Sequence, residues 1–517
     1  MLAPLQQPRR NRQIRSAALT VPPPIEGWVS KNDPRSESLT TARILENMIP
    51  RRNFAESRLG NQATAKITTG GVVESLMSFE DGNSKKLLAV CENVIYDTPF
   101  APTDIPPAPT SIHTGLTSSR FQSVLMANGA DEMRLVMVNG ADGILTYEPS
   151  AGVQPVVPVP SVPDLLDVTP FKGRLWFTQE GTSTLWYAEP LSNQPSTLTP
   201  FYVGPLLQKG GTCLAIDSLS LDGGSGPDDY LAVITTKGEC LLFSGIDPAT
   251  DFQMVGLYDV GLPAGVKCMT KLGKELYYFS SRGPETLSRL MGGLGRVDNA
   301  GNPIQDHFED AYKRAAGSHG WEVLLYSKDS WVICNIPIQY PSNYHQYVLN
   351  LETSAWFKIT GWNANSWAAH DGEVFYGCNS GVIHIANYGL HDNGAAIEVD
   401  YMQNWNEYGT PNLKKFNLCK MTLRSISKPR PAIDMMVDYV ELTPTNQPEF
   451  PKAAVATPWN ISPWNTSPWS SSPIFSVDIF GLSDQGYVGA LRYRESVKDS
   501  FTQLYGYQIM LEVGDLL

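Results

Sequence analysis

Arg134-Leu135-Val136-Met137-Val138, then Asn139-Gly140-Ala141-Asp142, then Gly143-Ile144-Leu145-Thr146-Tyr147: two apolar runs enclose a turn of Asn, Gly and Asp, which is the sequence sign of a β-hairpin. The pattern recurs on both sides. Lys86-Leu87-Leu88-Ala89-Val90 leads to Val94-Ile95-Tyr96, Leu175-Trp176-Phe177 to Leu185-Trp186-Tyr187, and Leu231-Ala232-Val233-Ile234 to Leu241-Leu242-Phe243. Further copies begin at Leu276, Val323 and Val374. Taking positions 87, 135, 175, 231, 276, 323 and 374 as markers, the spacings are 48, 40, 56, 45, 47 and 51 residues, near the length of a four-stranded blade. The rhythm predicts an all-β chain whose centre is a β-propeller of about six or seven blades, a fold that leaves few sheet edges open. An irregular meander or a pair of sandwiches is the competing arrangement, because the copies share no signature dipeptide.

Beyond about residue 390 the rhythm breaks. Ala396-Ile397-Glu398-Val399-Asp400-Tyr401, Cys419-Lys420-Met421-Thr422-Leu423 and Asp434-Met435-Met436-Val437-Asp438-Tyr439 alternate with period two, and Tyr505 to Val513 reads as a closing strand. These predict a β-sandwich-like domain over 391–517, after a propeller over 61–390 and an extended basic segment over 1–60. Inside the sandwich lies a proline/tryptophan loop, 457–474, in which Pro-Trp recurs every five residues at Trp459, Trp464 and Trp469. Proline excludes a regular sheet interior, and three tryptophans on a loop call for a surface to pack on, so a subunit or partner contact is expected there. The alternative is that they fold back over their own domain.

The bulk numbers agree with several β domains. The chain has 517 residues, 42 % apolar and 18 % charged, with 43 Gly and 39 Pro for turns. No apolar run is long enough to span a membrane, and no apolar core follows the basic residues at the start, so neither a membrane span nor a secretory signal is expected. Seven scattered cysteines without a CxxC pair read as free, mostly buried thiols of a protein folded in a reducing cytoplasm. The net charge of −13 divides into +5 over residues 1–60 and −18 over the rest. An acidic body disfavours tight DNA binding but suits a surface that DNA must slide past.

The first twenty residues hold Arg9, Arg10, Arg12 and Arg15 and no acid, before Val21-Pro22-Pro23-Pro24, Ile25 and Trp28. They predict an arm ordered by docking on a neighbouring subunit, with Arg9, Arg10, Arg12, Arg15 and Trp28 as contacts. A short helical turn is expected over Ser38 to Asn47, and a long loop, Met291 to Ser318, as a further inter-subunit contact.

Chemistry is sparse. The seven histidines lack metal-binding spacing, and neither a nucleophile elbow nor a phosphate loop is present. His384 alternates with apolar residues and reads as a strand residue on a solvated face. Asp222 to Asp229 reads as an acidic turn, not a calcium loop. No catalytic residue, cofactor or metal is assigned, and the chain is read as a non-enzyme.

Several segments resemble the tail nozzle, or packaged-DNA stabilisation, proteins of short-tailed (podovirus) bacteriophages. Pro8-Arg9-Arg10-Asn11-Arg12 and Gly27-Trp28 are similar to that family's N-terminal arm. Ala42-Arg43-Ile44-Leu45-Glu46-Asn47-Met48-Ile49-Pro50 with Arg58-Leu59-Gly60 resembles its "apolar-x-Asn-aromatic-aromatic-Pro … Arg-x-Gly" segment, with Met48-Ile49 in place of the aromatic pair. Gly71 to Leu76 and the turn Val138 to Gly143 are similar to its first blades. The resemblance covers roughly the first 150 residues. It implies a virion tail protein, made in the host cytoplasm, whose six copies form a ring below the portal and its adaptor. Such a ring retains packaged DNA, conducts it at ejection through an acidic lumen, and carries a tail fibre or tail-tip protein. A carbohydrate-binding adhesin or receptor-binding tail protein with Trp459, Trp464 and Trp469 on sugar rings, and a propeller hydrolase, are the rival readings.

Overall fold

The computed structural model describes residues 15–30, 38–222, 227–292, 300–450 and 473–514. Its contacts divide the chain into two units, Arg58–Ile397 and a second one made of Met1–Ser57 with Glu398–Leu517.

Arg58–Ile397 is a β-propeller. The seven marker positions fall in seven different sheets. Five are four-stranded sheets, one has three strands, and Val323 lies in a four-stranded meander that is part of a larger sheet, within the expected range of six or seven blades. Blade 1 comprises Val73–Glu80, Lys85–Cys91, Val94–Thr98 and Thr110–Thr114. Blade 2 runs from Gln122–Ala127 to Gly152–Val156, blade 3 from Leu165–Phe171 to Leu198–Tyr202, and blade 4 from Cys213–Asp222 to Gln253–Asp259. Blade 5 has only Met269–Leu272, Glu275–Ser280 and Gly283–Thr286. Blade 6 runs from Glu322–Tyr326 to Ala355–Ile359. Blade 7 takes Ser366–His370, Glu373–Gly377 and Val382–Ala386 from the end of the unit and its outer strand, Asn61–Lys66, from the beginning. The two ends of the unit thus meet in one sheet.

Cores lie between successive sheets. Leu88, Val90 and Phe79 of blade 1 pack with Leu135, Met137 and Tyr147 of blade 2. Blades 3 and 4 share an aromatic cluster built on Trp176, Phe201, Phe243 and Phe252. All seven cysteines are buried and free.

Where blade 5 lacks a fourth strand, the chain forms helices. The segment expected as a loop, Met291 to Ser318, holds the helix Gln305–Ala315, preceded by the short helix Leu287–Met291. Asp306 in its first turn and Lys313 and Arg314 in its last match the helix dipole. Phe308, Ala311 and Ala315 form the buried stripe, with Phe308 edge-on to Phe279, Tyr347 and Trp356. The stripe is consumed within the propeller.

In the second unit, two sheets face each other. One is ordered Ile474–Gly481, Lys414–Ser425, Thr502–Val513, then Arg15–Val21 along the outer side of Thr502–Val513. The other contains Thr41–Glu46, Ile397–Gln403, Gly489–Val497 and Ala432–Val437. Tyr507 donates its hydroxyl hydrogen across the gap to Gln403 Oε1 at 2.5 Å, and Gly489 leaves room for the Phe416 ring, which a Cβ would meet at 2.6 Å.

Two expectations for residues 15–57 are corrected here. Arg15–Val21, expected within an arm docked on a neighbouring subunit, is a strand paired over seven residues with Tyr507 to Val513 of its own chain. The helical turn expected over Ser38 to Asn47 is the strand Thr41–Glu46, whose Ala42 to Glu46 pair with Asp400 to Gln403. Cross-strand pairing overrides local propensity there, and Asn47 ends the strand at φ +56°. Among the described residues, no helix is long and apolar enough to cross a membrane.

Candidate functional site: the polar girdle of the propeller axis

The innermost strands enclose two cavities, of about 520 Å³ and 480 Å³, that adjoin along the axial channel and share Phe121, Gln122, Val266, Lys267 and Glu322. Polar groups along the channel link each blade to the next. The Phe121 amide of blade 2 donates to Ser75 Oγ of blade 1 at 2.7 Å. The Gly140 amide of blade 2 donates to the Leu165 carbonyl of blade 3 at 2.7 Å. From blade 4, the Ile216 amide reaches Asp167 Oδ2 of blade 3 at 2.9 Å, while Thr169 Oγ1 of blade 3 donates to Asp217 Oδ1 of blade 4 at 3.1 Å. Lys271 of blade 5 pairs with that same Asp217 at 2.8 Å, and Lys267, just before blade 5, pairs with Glu322 of blade 6 at 3.2 Å. Glu322 Oε2 accepts the Trp367 amide of blade 7 at 3.2 Å, and Ser366 Oγ of blade 7 donates to the Val73 carbonyl of blade 1 at 2.9 Å. The circuit passes through every blade and closes on itself.

Burial sets the protonation of this girdle. It pushes the Asp167 carboxyl up to about 7, against the two backbone amides that hold the charged form. Burial also raises Glu322, with Lys267 opposing. At the channel mouth, Arg120 bonds Glu74 at 3.1 Å, Tyr340 donates to the same carboxylate at 2.9 Å, and the His319 ring packs beside Tyr340. Replacing Glu322 by Ala strands Lys267 and the Trp367 amide together. It should lower propeller stability by about 2 kcal/mol, read as a shifted denaturant midpoint, and a change near zero would mean that water replaces the pair.

A second prediction concerns acid. Burial, with Arg120 adding to it at His319 and Lys358 at His345, depresses His319, His345 and His384 to about 4. Their folded values lie below the ordinary 6.5, so the stability they contribute is full above pH 6.5 and lost as pH falls towards 4. Asp167, raised from 3.8 to about 7, acts in the opposite sense over that range. Glu322, also raised by burial, acts with Asp167, so changing the three histidines to Gln removes their part alone, and the denaturant midpoint should then fall less between pH 6.5 and 4 than in the parent chain.

One cluster has the composition of a hydrolytic triad but not its geometry. Ser78 Oγ lies 2.9 Å from His370 Nδ1, and Glu80 Oε1 lies 3.2 Å from that same nitrogen. A relay needs one partner on each ring nitrogen, and Nε2 is buried without a hydrogen-bond partner. The contacts therefore join blade 7 to blade 1. Among the described residues no cluster of His, Cys, Asp or Glu could hold a metal ion. Of the acidic turn Asp222 to Asp229, residues 223–226 lie outside the described residues, and Asp229 pairs with Lys172 at 2.6 Å.

Of the contact residues singled out from sequence, Arg15 and Trp28 are the two among the described residues. Trp28 is 4 % exposed, buried by its own chain, and so does not serve as a partner contact. Arg15 opens a strand, while Arg9, Arg10, Arg12, Trp459, Trp464 and Trp469 lie outside the described residues. His384 is not on a solvated face. The Asn61–Lys66 strand covers its sheet, and the ring is 8 % exposed and stacked 5.1 Å from Tyr376. Sequence reading missed the girdle, whose one signal is polar residues recurring on inner strands at blade spacing, as in Asp167, Asp217 and Lys271.

Sheet order and ring closure thus define a β-propeller joined to a two-sheet unit. No family model and no curated protein matches the chain. Among solved structures it is similar to the WD40 β-propeller domain of Doa1, at 11 % identity and TM-score 0.39, covering 63 % of this chain and 96 % of that one. It is also similar to the extracellular domain of the putative hybrid two-component system BT3049 from B. thetaiotaomicron, at 12 % identity and TM-score 0.39, over 62 % of this chain and 40 % of that one. The computationally designed Ika8 protein matches at 8 % identity and TM-score 0.35, over 63 % and 99 %.

Proposed function

We propose that the chain is a structural subunit of a short phage tail: six copies form the nozzle ring beneath the portal-adaptor, retain packaged DNA and conduct it at ejection. The observation that carries this reading is the closed girdle. Asp167, Asp217, Lys267, Lys271 and Glu322, charged groups that a binding or catalytic channel could present to a ligand, are instead tied from blade to blade, as a rigid wall requires. The axial channel, at several hundred Å³, is of small-molecule size, so DNA would pass through the centre of the ring and not through any one propeller. Acidic residues outnumber basic ones by 52 to 39, which favours sliding of a polyanion over retention. The protein would then reside in the virion tail, contacting itself, the adaptor and a fibre or tip protein. Negative-stain images of the purified chain test the proposal. Six-fold rings with a central opening are expected, and single particles that bind and turn over or retain polysaccharide would overturn it.

A further inference from the structure

The sheet Ile474–Gly481, Lys414–Ser425, Thr502–Val513, Arg15–Val21 ends in two strands that, among the described residues, have no partner on their outer sides. Such edges invite pairing unless charge, proline or a cover blocks them. The Ile474–Gly481 edge carries one charge, Asp478, on its inner face, and its outer face is apolar. Phe475, Val477 and Ile479 point from it into solvent, 57 %, 43 % and 61 % exposed, next to exposed Leu418 and Met510. Five large apolar side chains on one sheet face form a patch, where scattered ones would need no explanation.

We propose that the Arg15–Val21 strand of a second copy occupies the outer side of Ile474–Gly481, so that the sheet continues head to tail from one chain to the next. This deepens the ring reading above and rests on it. Three features fit. Each of the four strands is antiparallel to its neighbour, and four is even, so a copy added in the same orientation meets this edge antiparallel and the alternation continues. Ala18 and Thr20 stand in register with Met510 and Gln508, and these with Leu418 and Lys420, so one strand offers small exposed residues and the other large ones. Antiparallel pairing also brings the start of Arg15–Val21 beside the Gly481 end. The chain leading into that strand carries Arg9, Arg10 and Arg12 and no acid, and Arg15 opens the strand itself. At the Gly481 end stand Asp434 and Asp484, and Asp484 is raised by burial and by the charge of Asp434. Asn446 joins the two features, its amide nitrogens donating to the Gly481 carbonyl and to Asp434.

The test uses the full chain with Ala18→Cys, with Val477→Cys, and with both. The seven native cysteines are buried, so a short bis-maleimide reacts at the introduced thiols. Within one chain the two sites lie three strand spacings apart, about 14 Å, beyond a linker of about 8 Å. The proposal predicts a covalent ladder from the double variant, dimers from the two single variants mixed, and none from either alone. Dimers from Val477→Cys alone would overturn it in favour of a two-fold edge contact. No crosslink in a sample that light scattering shows assembled would overturn it while leaving the ring reading standing. A chain that stays monomeric at every concentration would overturn both.

Discussion

Replacing Arg58 by alanine is expected to cost the propeller about 3–5 kcal/mol, because it strips one partner from a buried ion pair. The side chain is wholly buried and grips Asp392 with both guanidinium nitrogens, at 2.8 and 2.6 Å. It also donates to the Leu59 and Thr360 carbonyls at 2.8 Å each and lies 4.9 Å over the Trp362 ring. Asn61, first residue of the strand that closes blade 7, donates to the same Asp392 at 2.8 Å. The pair therefore clasps the beginning of the propeller to its end. Gly60 completes the clasp, since a Cβ there would sit 1.8 Å from the His391 carbonyl oxygen. Loss of the clasp should free the Asn61–Lys66 strand first, seen as faster amide exchange along Val382–Ala386. Arg58→Lys should recover only part of the loss, because a point charge cannot reproduce the two-pronged contact. A midpoint unchanged in Arg58→Ala would show that strand pairing alone closes the ring.

The second large effect is at Trp176, which is 1 % exposed in the core between blades 3 and 4. Its ring stacks 4.7 Å from Phe252 at 25° and packs on Tyr187 and Phe201. Trp176→Ala leaves a cavity among rings that cannot collapse into it, and about 3–5 kcal/mol should be lost. Trp176→Phe keeps the stacking and removes an indole N–H that is buried without a partner, so its cost should stay below about 1.5 kcal/mol. The two variants together separate packing from polarity. Equal losses would mean that the indole nitrogen, not the ring face, holds the site.

The hairpins were legible for a physical reason. The second strand of each blade is buried on both faces over most of its length, as in Leu87 to Cys91 and Leu231 to Ile234, and burial demands continuous apolar runs. Outer strands such as Thr110–Thr114 and Gln253–Asp259 are largely exposed and carry no such run. In blade 6 the marker at Val323 fell on the inner strand, because Glu322–Tyr326 is itself buried and apolar, and Trp331–Gln339 is the true second strand. The girdle and the Arg58 clasp escaped notice because their partners stand far apart in sequence, Arg58 and Asp392 being 334 positions apart. The Arg-x-Gly segment was noticed only as a resemblance, and its meaning lies in ring closure.

The central claim is that this propeller builds a ring with copies of itself. The most direct measurement is the mass of the full-length chain in solution by multi-angle light scattering. The account predicts six times the 56.9 kDa of one chain. A mass of one chain at every concentration would contradict it.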